Sequence, residues 1–321
     1  MRVLTFQKPA TDSRKVYELI DQLERDVSKS SAKRYTQSIN NYIVWCESQN
    51  INVDVPFSEP ILIRYIQHLQ SVSEIKMFCA ATKAAHFAGD LESSFTKPKI
   101  IRILKARLKQ INRENPTVVR QAKGLTSDIM DRIEAKMPLN NPITTRDRAL
   151  IRMGRDGLLR CDELVSLRWE DIEYLADGAA TGLIRRSKTD QYGKGAVFYI
   201  SPQTTEILNQ YRENEDNTDG FVFHKQGNHY KEMSYVRANK IIKRWAKRIG
   251  ENESEYSTHS MRVGMAQDLL SAGLSTTAIS IAGRWSSDNM VIRYTRQLDV
   301  KKQAVAIYYE MKEEEQYDFN D

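Results

Sequence analysis

Apolar residues recur at helical spacing through the first 115 residues of the chain, and this period restricts the fold more than any other feature. Tyr17, Ile20 and Leu23 form one such series. Spacings of three and four residues place side chains on one face of a helix. Convincing strand signals are confined to "EDIEYLADGAATGLIRRSKTDQYGKGAVFYIS", residues 170–201, where glycine and aspartate separate short β-rich runs. The sequence therefore predicts a mainly α-helical protein with a small antiparallel β-sheet of three strands.

A break in the helical pattern predicts two domains. The chain has 321 residues, and "RENPTVVRQAKGL", residues 113–125, contains a proline and a glycine but no apolar period. Such a segment suits an extended connection. We predict a helical domain at residues 1–111, a linker at 112–125 and a second domain at 126–321.

Serine and threonine residues mark the expected starts of several helices, because their side chains cap free backbone N–H groups. The predicted caps are Ser30 or Ser31 for the second helix, Ser58 for the third, Ser71 or Ser73 for the fourth, and Thr258 for the helix in "THSMRVGMAQDLLSAG".

Composition excludes several classes of protein. No stretch approaches the roughly 18 apolar residues of a membrane span, and the first residues lack the apolar core of a secretory signal. We expect a cytoplasmic protein without a membrane partner. Cys46, Cys79 and Cys161 show no metal-ligand spacing, so they are interpreted as reduced, buried thiols and not as a disulfide framework or zinc site.

Basic charge is concentrated in the first part of the chain. The net charge is +6, and residues 1–124 hold 20 Lys and Arg against 12 Asp and Glu, whereas the remainder holds 28 against 30. Residues 97–123 contain nine basic residues and one acid. A solvated helix face is one interpretation, but the one-sided sign favours contact with nucleic-acid phosphates.

Several polar residues stand at spacings that suit chemistry on a phosphate. Arg160 and Glu163 lie three residues apart, so the carboxylate can orient the guanidinium. His259 and Arg262 fall in the first turn of a helix, where the helix dipole disfavours cations unless an anion is bound. Lys188 lies near a hairpin tip. Each alone also fits an ordinary surface ion pair, a capped surface helix or a solubilising lysine.

Trp285 and Tyr294 lie nine residues apart, which would place them on opposite sides of one continuous helix. Ser286 and Ser287 are suited to restart the helix, so both aromatic side chains can face one site. A pair of core aromatic residues is the alternative interpretation.

Taken in order, these residues resemble a known family. Arg160, Glu163 and Lys188, followed by "HSMR", "GRW" and "VIRYTRQLD", are similar to the tyrosine site-specific recombinases. The likeness is dense over residues 157–300 and weaker over the first domain. It implies a C-shaped DNA clamp built from a helical core-binding domain and a catalytic domain.

The resemblance also implies a mechanism and partners. Tyr294 would attack a phosphodiester to form a 3′-phosphotyrosine, Arg160, His259, Arg262 and Trp285 would hold the phosphate, and Lys188 would protonate the leaving group. No metal, ATP or other cofactor is expected. The partner is double-stranded DNA with a specific recombination site, on which four protomers exchange strands through a Holliday junction. Residues 303–312 would form a helix that docks on a neighbouring protomer, with packing on its own chain as the alternative.

Individual DNA contacts are predicted from basic residues on helix faces. They are Lys33, Arg34, Lys76, Lys83, Arg237, Lys240 and Arg244. Two other functions remain open from the sequence: a type IB DNA topoisomerase, which uses a similar set of side chains, and a DNA-binding regulator whose catalytic site is vestigial.

Overall fold

The computed structural model describes residues 13–116, 121–139, 141–187, 195–215, 219–295 and 308–309. The chain divides into two compact units, Met1–Val119 and Arg120–Asp321. This division lies within the segment predicted as a linker, although the first residues of that segment, 112–114, continue the preceding helix.

The described part of the first unit is helical. Its helices are α1 (Ser13–Asp26), α2 (Lys29–Ser48), α3 (Glu59–His68), α4 (Val72–Ala88) and α5 (Pro98–Glu114). The Ser71 hydroxyl caps α4 as predicted. The cap of α2 is Ser28 and not Ser30 or Ser31, because the Ser28 hydroxyl accepts the Ser31 N–H. Ser58 stands at the start of α3 without a side-chain cap bond.

Aromatic rings form the centre of the first core. The ring centroid of Tyr42 lies 5.1 Å from those of Phe57 and Tyr65 and 5.2 Å from that of Phe78. All four residues are buried. Tilted and edge-on contacts of this kind suit the ring quadrupoles and add to the burial of apolar area.

The second unit contains the remaining helices. They are α6 (Ser127–Glu134), α7 (Pro142–Asp156), α8 (Cys161–Val165), α9 (Pro202–Glu215), α10 (Tyr235–Arg248), α11 (His259–Ser271), α12 (Thr276–Ala282) and α13 (Asn289–Thr295). The three cysteines of the chain are buried and unpaired, as predicted.

The predicted three-stranded antiparallel sheet is confirmed. It consists of β1 (Ile172–Tyr174), β2 (Ala180–Ile184) and β3 (Ala196–Ile200), in the order β1-β2-β3. The register pairs Ala180 with Ile200 and Ile184 with Ala196. The segment between β2 and β3 carries Lys188, and residues 188–194 lie outside the described residues.

A second, two-stranded sheet was missed by the sequence analysis. Strands β4 (His224–Lys225) and β5 (Asn228–Glu232) form an antiparallel hairpin. Its residues are mostly polar and exposed, so they lack the alternation that identifies a half-buried strand. A turn at Gly227, whose φ of 77° suits glycine, reverses the chain.

A buried carboxylate joins α7 to α10 in the core of the second unit. Asp147 is fully buried and accepts hydrogen bonds from the Trp245 indole N–H at 2.8 Å and from the guanidinium of Arg146 at 2.7 Å. The Arg244 guanidinium also donates to it. These bonds fix α7, whose end leads into the site described below. Within the described ranges no helix combines the length and apolarity needed to span a membrane.

Candidate active site

The turn that opens α8 is organised around Glu163. Arg160 stands immediately before α8, and the Glu163 carboxylate reaches back to accept the Arg160 backbone N–H at 2.9 Å. The other carboxylate oxygen accepts the Arg160 Nη1 at 2.7 Å and the Ser187 hydroxyl at 2.8 Å. One carboxylate therefore caps the helix and orients the guanidinium, which agrees with the predicted pairing of these residues.

The charge of Glu163 is maintained despite its burial. Only 2% of its side chain is exposed, and burial raises its pKa. The hydrogen bonds from Arg160 and Ser187 and the charge of Arg284 lower the pKa further than burial raises it. The net pKa is below the ordinary value, so Glu163 is ionised at neutral pH.

The first turn of α11 carries His259 and Arg262, but Thr258 does not cap it. The Ser257 hydroxyl accepts the His259 N–H at 3.3 Å, whereas Thr258 is buried and makes no side-chain cap bond. The Thr258 backbone N–H is instead donated to Asn239 at 3.1 Å. Thr258 therefore occupies the predicted N-cap position, but its side chain makes no cap bond.

Arg262 is the most deeply buried cation of the site, with 1% of its surface exposed. Its Nη1 donates to the Leu158 carbonyl at 2.5 Å, and its Nη2 donates to the Gly283 carbonyl. Its Cζ lies 4.5 Å from the centroid of the Trp285 ring. Burial, and next the nearby charge of Arg160, lower the pKa of Arg262 to about 10. The guanidinium remains charged at neutral pH. The two carbonyls and the Trp285 ring fix its orientation.

Trp285 and Tyr294 face each other, as the predicted helix restart requires. Helix α12 ends at Ala282 and α13 begins at Asn289, so the chain turns between the two aromatic residues. Their ring centroids are 5.1 Å apart, and the Tyr294 ring lies at the same distance from the His259 ring. The Gln267 side chain of α11 donates to the Tyr294 carbonyl at 2.9 Å, which ties α13 to α11.

The pKa of Tyr294 is raised, although its charged neighbours are cations. Burial raises the pKa of Tyr294, and the charges of Arg262, Arg160 and Arg293 lower it by less, so the net pKa lies above the ordinary value. Tyr294 is therefore a phenol in the absence of DNA. The cations favour the phenolate, but desolvation of a residue that is only 4% exposed outweighs them.

His259 is uncharged at neutral pH. Close packing of protein atoms, followed by the positive charges of Arg262, Arg160 and Arg293, lowers its pKa to about 4, although part of its surface is exposed. The three guanidinium charges thus lower the pKa of His259 in the same direction as burial.

The structure brings most of the predicted site residues together. Arg160, Glu163, His259, Arg262, Trp285 and Tyr294 form one cluster on α8, α11, α13 and the turns before them. Lys188 lies outside the described residues. Ser187, which donates to Glu163, immediately precedes it.

The predicted DNA contacts are distributed over both units. Six of them are exposed on helices: Lys33, Arg34, Lys76, Lys83, Arg237 and Lys240. Arg244 is half-buried and bonded to Asp147, so its side chain already has a structural partner.

Two cations near the site were missed by the sequence analysis. Arg284 contacts Glu163, and the charge of Arg293 acts on both His259 and Tyr294. Their adjacency to Trp285 and Tyr294 in the sequence was the available signal. Among the described residues, no three His, Cys, Asp or Glu side chains group as metal ligands.

Comparisons with known proteins place this cluster in a family. Residues 123–301 match the model of the phage integrase family. An integrase/recombinase XerD homolog from Selenomonas ruminantium is 24% identical over 293 residues, covering 87% of this chain and 85% of that protein. The Cre recombinase of Escherichia phage P1 is also 24% identical, over 298 residues and 85% of each chain. The sequence around Trp285 resembles that of Cre in particular, but these two identities do not separate the relatives.

Solved structures agree on the fold. The XerH recombinase bound to its difH substrate before cleavage aligns with a TM-score of 0.61 at 16% identity, covering 92% of this chain and 88% of that one. The Tn1549 transposon integrase in complex with transposon right-end DNA aligns with a TM-score of 0.60 at 14% identity, covering 92% and 98%. The matched family model spans more than half of the chain and includes every residue of the cluster. The chain belongs to the phage integrase family of tyrosine recombinases.

Proposed function

We propose that the chain cuts and rejoins DNA at specific sites through a covalent bond between Tyr294 and a 3′-phosphate. The observation that carries this proposal is the position of Tyr294. Its ring contacts both Trp285 and His259, and the guanidinium of Arg262 stacks on the same Trp285 ring. A nucleophile and fixed cations thus share one pocket.

Charge stabilisation is assigned to Arg160 and Arg262. Attack on a phosphodiester places additional negative charge on the nonbridging oxygens, and preorganised donors lower the barrier most effectively. Glu163 orients the first guanidinium and backbone carbonyls orient the second. Because both are held before DNA binds, little reorganisation is required during the reaction. The indole N–H of Trp285 is assigned as a further hydrogen-bond donor to the phosphate.

Proton movement is assigned to His259 and Lys188. Tyr294 is a phenol in the free protein, so its proton must leave during attack. His259, uncharged and in ring contact with Tyr294, is placed to accept that proton once a phosphate offsets the neighbouring cations. Lys188 is assigned by resemblance as the acid that protonates the departing 5′-hydroxyl.

Double-stranded DNA with a specific site is the proposed substrate. The XerH and Tn1549 integrase structures are complexes with DNA, and the exposed basic residues of α2, α4 and α10 offer phosphate contacts here. We further propose four protomers on two sites and exchange through a Holliday junction. The energy of the phosphodiester is retained in the tyrosine bond, so rejoining requires no ATP. Arg160 and Arg262 are proposed to stabilise the phosphate charge without a metal.

The test is detection of the covalent adduct. A duplex site is first selected from a random library with the wild-type protein, and a nicked version of it traps the cleaved state on denaturing gels. Wild type is expected to form the adduct equally with and without EDTA, and Tyr294→Phe is expected to bind the site but form none. An adduct in the Phe variant would refute the nucleophile assignment, and loss of activity in EDTA that magnesium restores would refute metal-free chemistry.

A further inference from the structure

Arg284 adopts a backbone conformation that is unusual for its residue type. Its φ is 53°, in the left-handed region that favours glycine. It lies in the turn after α12, between Gly283 and Trp285. The long side chain is 15% exposed although the residue belongs to a surface turn. A non-glycine residue persists in this region when the surrounding structure holds it there.

The guanidinium of Arg284 is held by the turn that precedes α8. Its Nη2 lies 2.9 Å from the Gly157 carbonyl, 3.2 Å from the Leu158 carbonyl and 3.3 Å from Oε2 of Glu163. Its Nη1 donates to the Ala282 carbonyl at 3.1 Å. The side chain therefore crosses from the turn that carries Trp285 to the turn that carries Arg160.

This contact completes the surroundings of the Glu163 carboxylate. One oxygen accepts Arg160 Nη1 and the Ser187 hydroxyl, and the other accepts the Arg160 backbone N–H and Arg284. Each oxygen thus has two donors, which is close to the full capacity of a carboxylate. Without Arg284, Oε2 of Glu163 loses one of its two donors and the carboxylate is freer to rotate. Arg160 would then no longer have a fixed partner.

Arg262 also forms hydrogen bonds to both of these turns. It donates to the Leu158 carbonyl, which Arg284 also contacts, and to the Gly283 carbonyl. The two guanidinium groups together fasten the Trp285 turn to the Arg160 turn. Because Arg262 stacks on Trp285 and Arg284 immediately precedes Trp285 in the chain, movement of either displaces the indole ring.

We propose that Arg284 is a positioning residue for DNA cleavage, which fixes the Arg160–Glu163 pair relative to the Trp285–Tyr294 pair. This inference rests on the proposed function of those pairs. We assign its action to Glu163 because its terminal nitrogens bond to that carboxylate and to backbone carbonyls of both turns.

Substitution by glycine is the informative variant. Arg284→Gly removes the guanidinium at a position whose φ favours glycine, so it adds no backbone strain. Arg284→Lys retains a charge that can meet Glu163 but offers fewer directed bonds to the two carbonyls. The matched control is Arg152→Gln. Arg152 is 17% exposed and forms an ion pair with Glu134 at 2.5 Å on α6, in the same unit but outside the cluster.

Single-turnover cleavage of the nicked site is compared with equilibrium binding to the intact site. We expect Arg284→Gly to slow cleavage about tenfold to a hundredfold, as is typical when a partner of a reacting group is removed, with the dissociation constant unchanged within about threefold. Arg284→Lys is expected to recover part of the rate, and Arg152→Gln to retain all of it. A cleavage rate in Arg284→Gly equal to wild type would overturn the proposal. An equal loss in Arg152→Gln would also overturn it, because general destabilisation would then explain both.

Hydrogen–deuterium exchange gives a second measurement that does not depend on cleavage. Peptides covering residues 157–163 and 283–295 are expected to exchange at least about tenfold faster in Arg284→Gly than in wild type, and unchanged in Arg152→Gln. Unchanged exchange in both peptides would overturn the positioning role even if the wild-type protein formed no adduct. Absence of a wild-type adduct together with faster exchange would instead contradict the proposed function alone.

Discussion

Cations outnumber carboxylates in the pocket around Tyr294. Among the described residues, Arg160, Arg262 and Arg284 lie around the carboxylate of Glu163. Burial first, and then repulsion from Arg160, lower the pKa of both Arg262 and Arg284. Their mutual repulsion is a cost that the folded protein carries in the absence of DNA. A bound phosphate offsets it, so the excess charge favours an anion in this pocket.

Removal of one guanidinium should therefore affect the reaction more than binding. Arg160→Ala is expected to slow single-turnover cleavage by about a hundredfold to a thousandfold, the usual loss for one preorganised donor to a charged transition state. Affinity for the duplex should change little, because many other phosphate contacts remain. Arg262→Ala should show at least the same loss. Cleavage by Arg160→Ala within tenfold of the wild-type rate would contradict the assignment.

His86 offers a separate test at the residue scale, in the first unit. It is fully buried, its Nε2 accepts the Phe57 N–H at 3.2 Å, and burial lowers its pKa to about 4. Because the folded pKa is below the ordinary value of about 6.5, the stabilising contribution is complete above pH 6.5. It is lost as the pH falls from about 6.5 towards 4, by at most about 3 kcal/mol.

The measurement is the free energy of unfolding of the full chain between pH 7 and pH 4.5, for wild type and His86→Gln. The variant should be less stable at pH 7 but lose less stability on acidification, because glutamine does not titrate. Parallel pH curves for the two proteins would show that His86 does not take up the proton.

At the scale of elements, helix α11 is held against the segment before α6 by close backbone packing. A Cβ added at Gly264 would lie 2.0 Å from the Leu125 carbonyl oxygen, and the Leu125 N–H donates to the Ser260 carbonyl at 2.8 Å. Since α11 carries His259 and Arg262, this contact contributes to where those side chains stand.

Gly264→Ala should consequently destabilise the protein. Alanine raises helix propensity by about 1 kcal/mol, but the clash involves backbone atoms that cannot rotate away, and overpacking costs about 1 to 3 kcal/mol or more. The net loss should appear as a lower denaturant midpoint. Ser271→Ala, at an exposed site on the same helix, is the control and should leave the midpoint nearly unchanged. A midpoint at or above wild type for Gly264→Ala would show that the segment adjusts.

Sequence patterns predicted those elements whose burial follows a simple period. The helices of the first unit and the sheet β1-β2-β3 were identified in this way, and the restart between α12 and α13 was predicted from Ser286 and Ser287. The β4-β5 hairpin was missed because its exposed polar residues carry no alternation. Local signals also misplaced the cap of α2 by two or three residues, where neighbouring serine residues compete.

Features that depend on tertiary contacts could not be read from the sequence. The raised pKa of Tyr294 results from burial that the presence of nearby arginines does not reveal. The role inferred for Arg284 depends on a positive φ and on carbonyls of Gly157 and Leu158, more than 120 residues earlier in the chain. Spacing predicted the Arg160–Glu163 pair, because its members are three residues apart.

At the scale of the whole molecule, apolar side chains remain uncovered near the active site. Ile281 of α12 is 74% exposed and Ile292 of α13 is 47% exposed. Tyr308 and Tyr309, which belong to the predicted docking segment at 303–312, are also exposed, whereas the other residues of that segment lie outside the described residues. Where exposed apolar side chains form a contiguous patch, they are typical of a surface that a partner covers. We propose that the 303–312 segment of a second protomer covers α12 and α13.

Deletion of residues 303–321 tests this assembly. Binding to a single site should remain nearly intact, because the predicted DNA contacts all precede the deletion, and cleavage of the nicked site should persist since Tyr294 is retained. Formation of complexes with two or four protomers, measured by native gel shift, should be weakened, and recombination between two sites should be blocked. The double substitution Ile281→Ser with Ile292→Ser should have the same effect in the full chain. Full recombination by the truncated protein would exclude docking in trans, and relaxation of supercoiled DNA without any exchange by the intact protein would favour a topoisomerase instead.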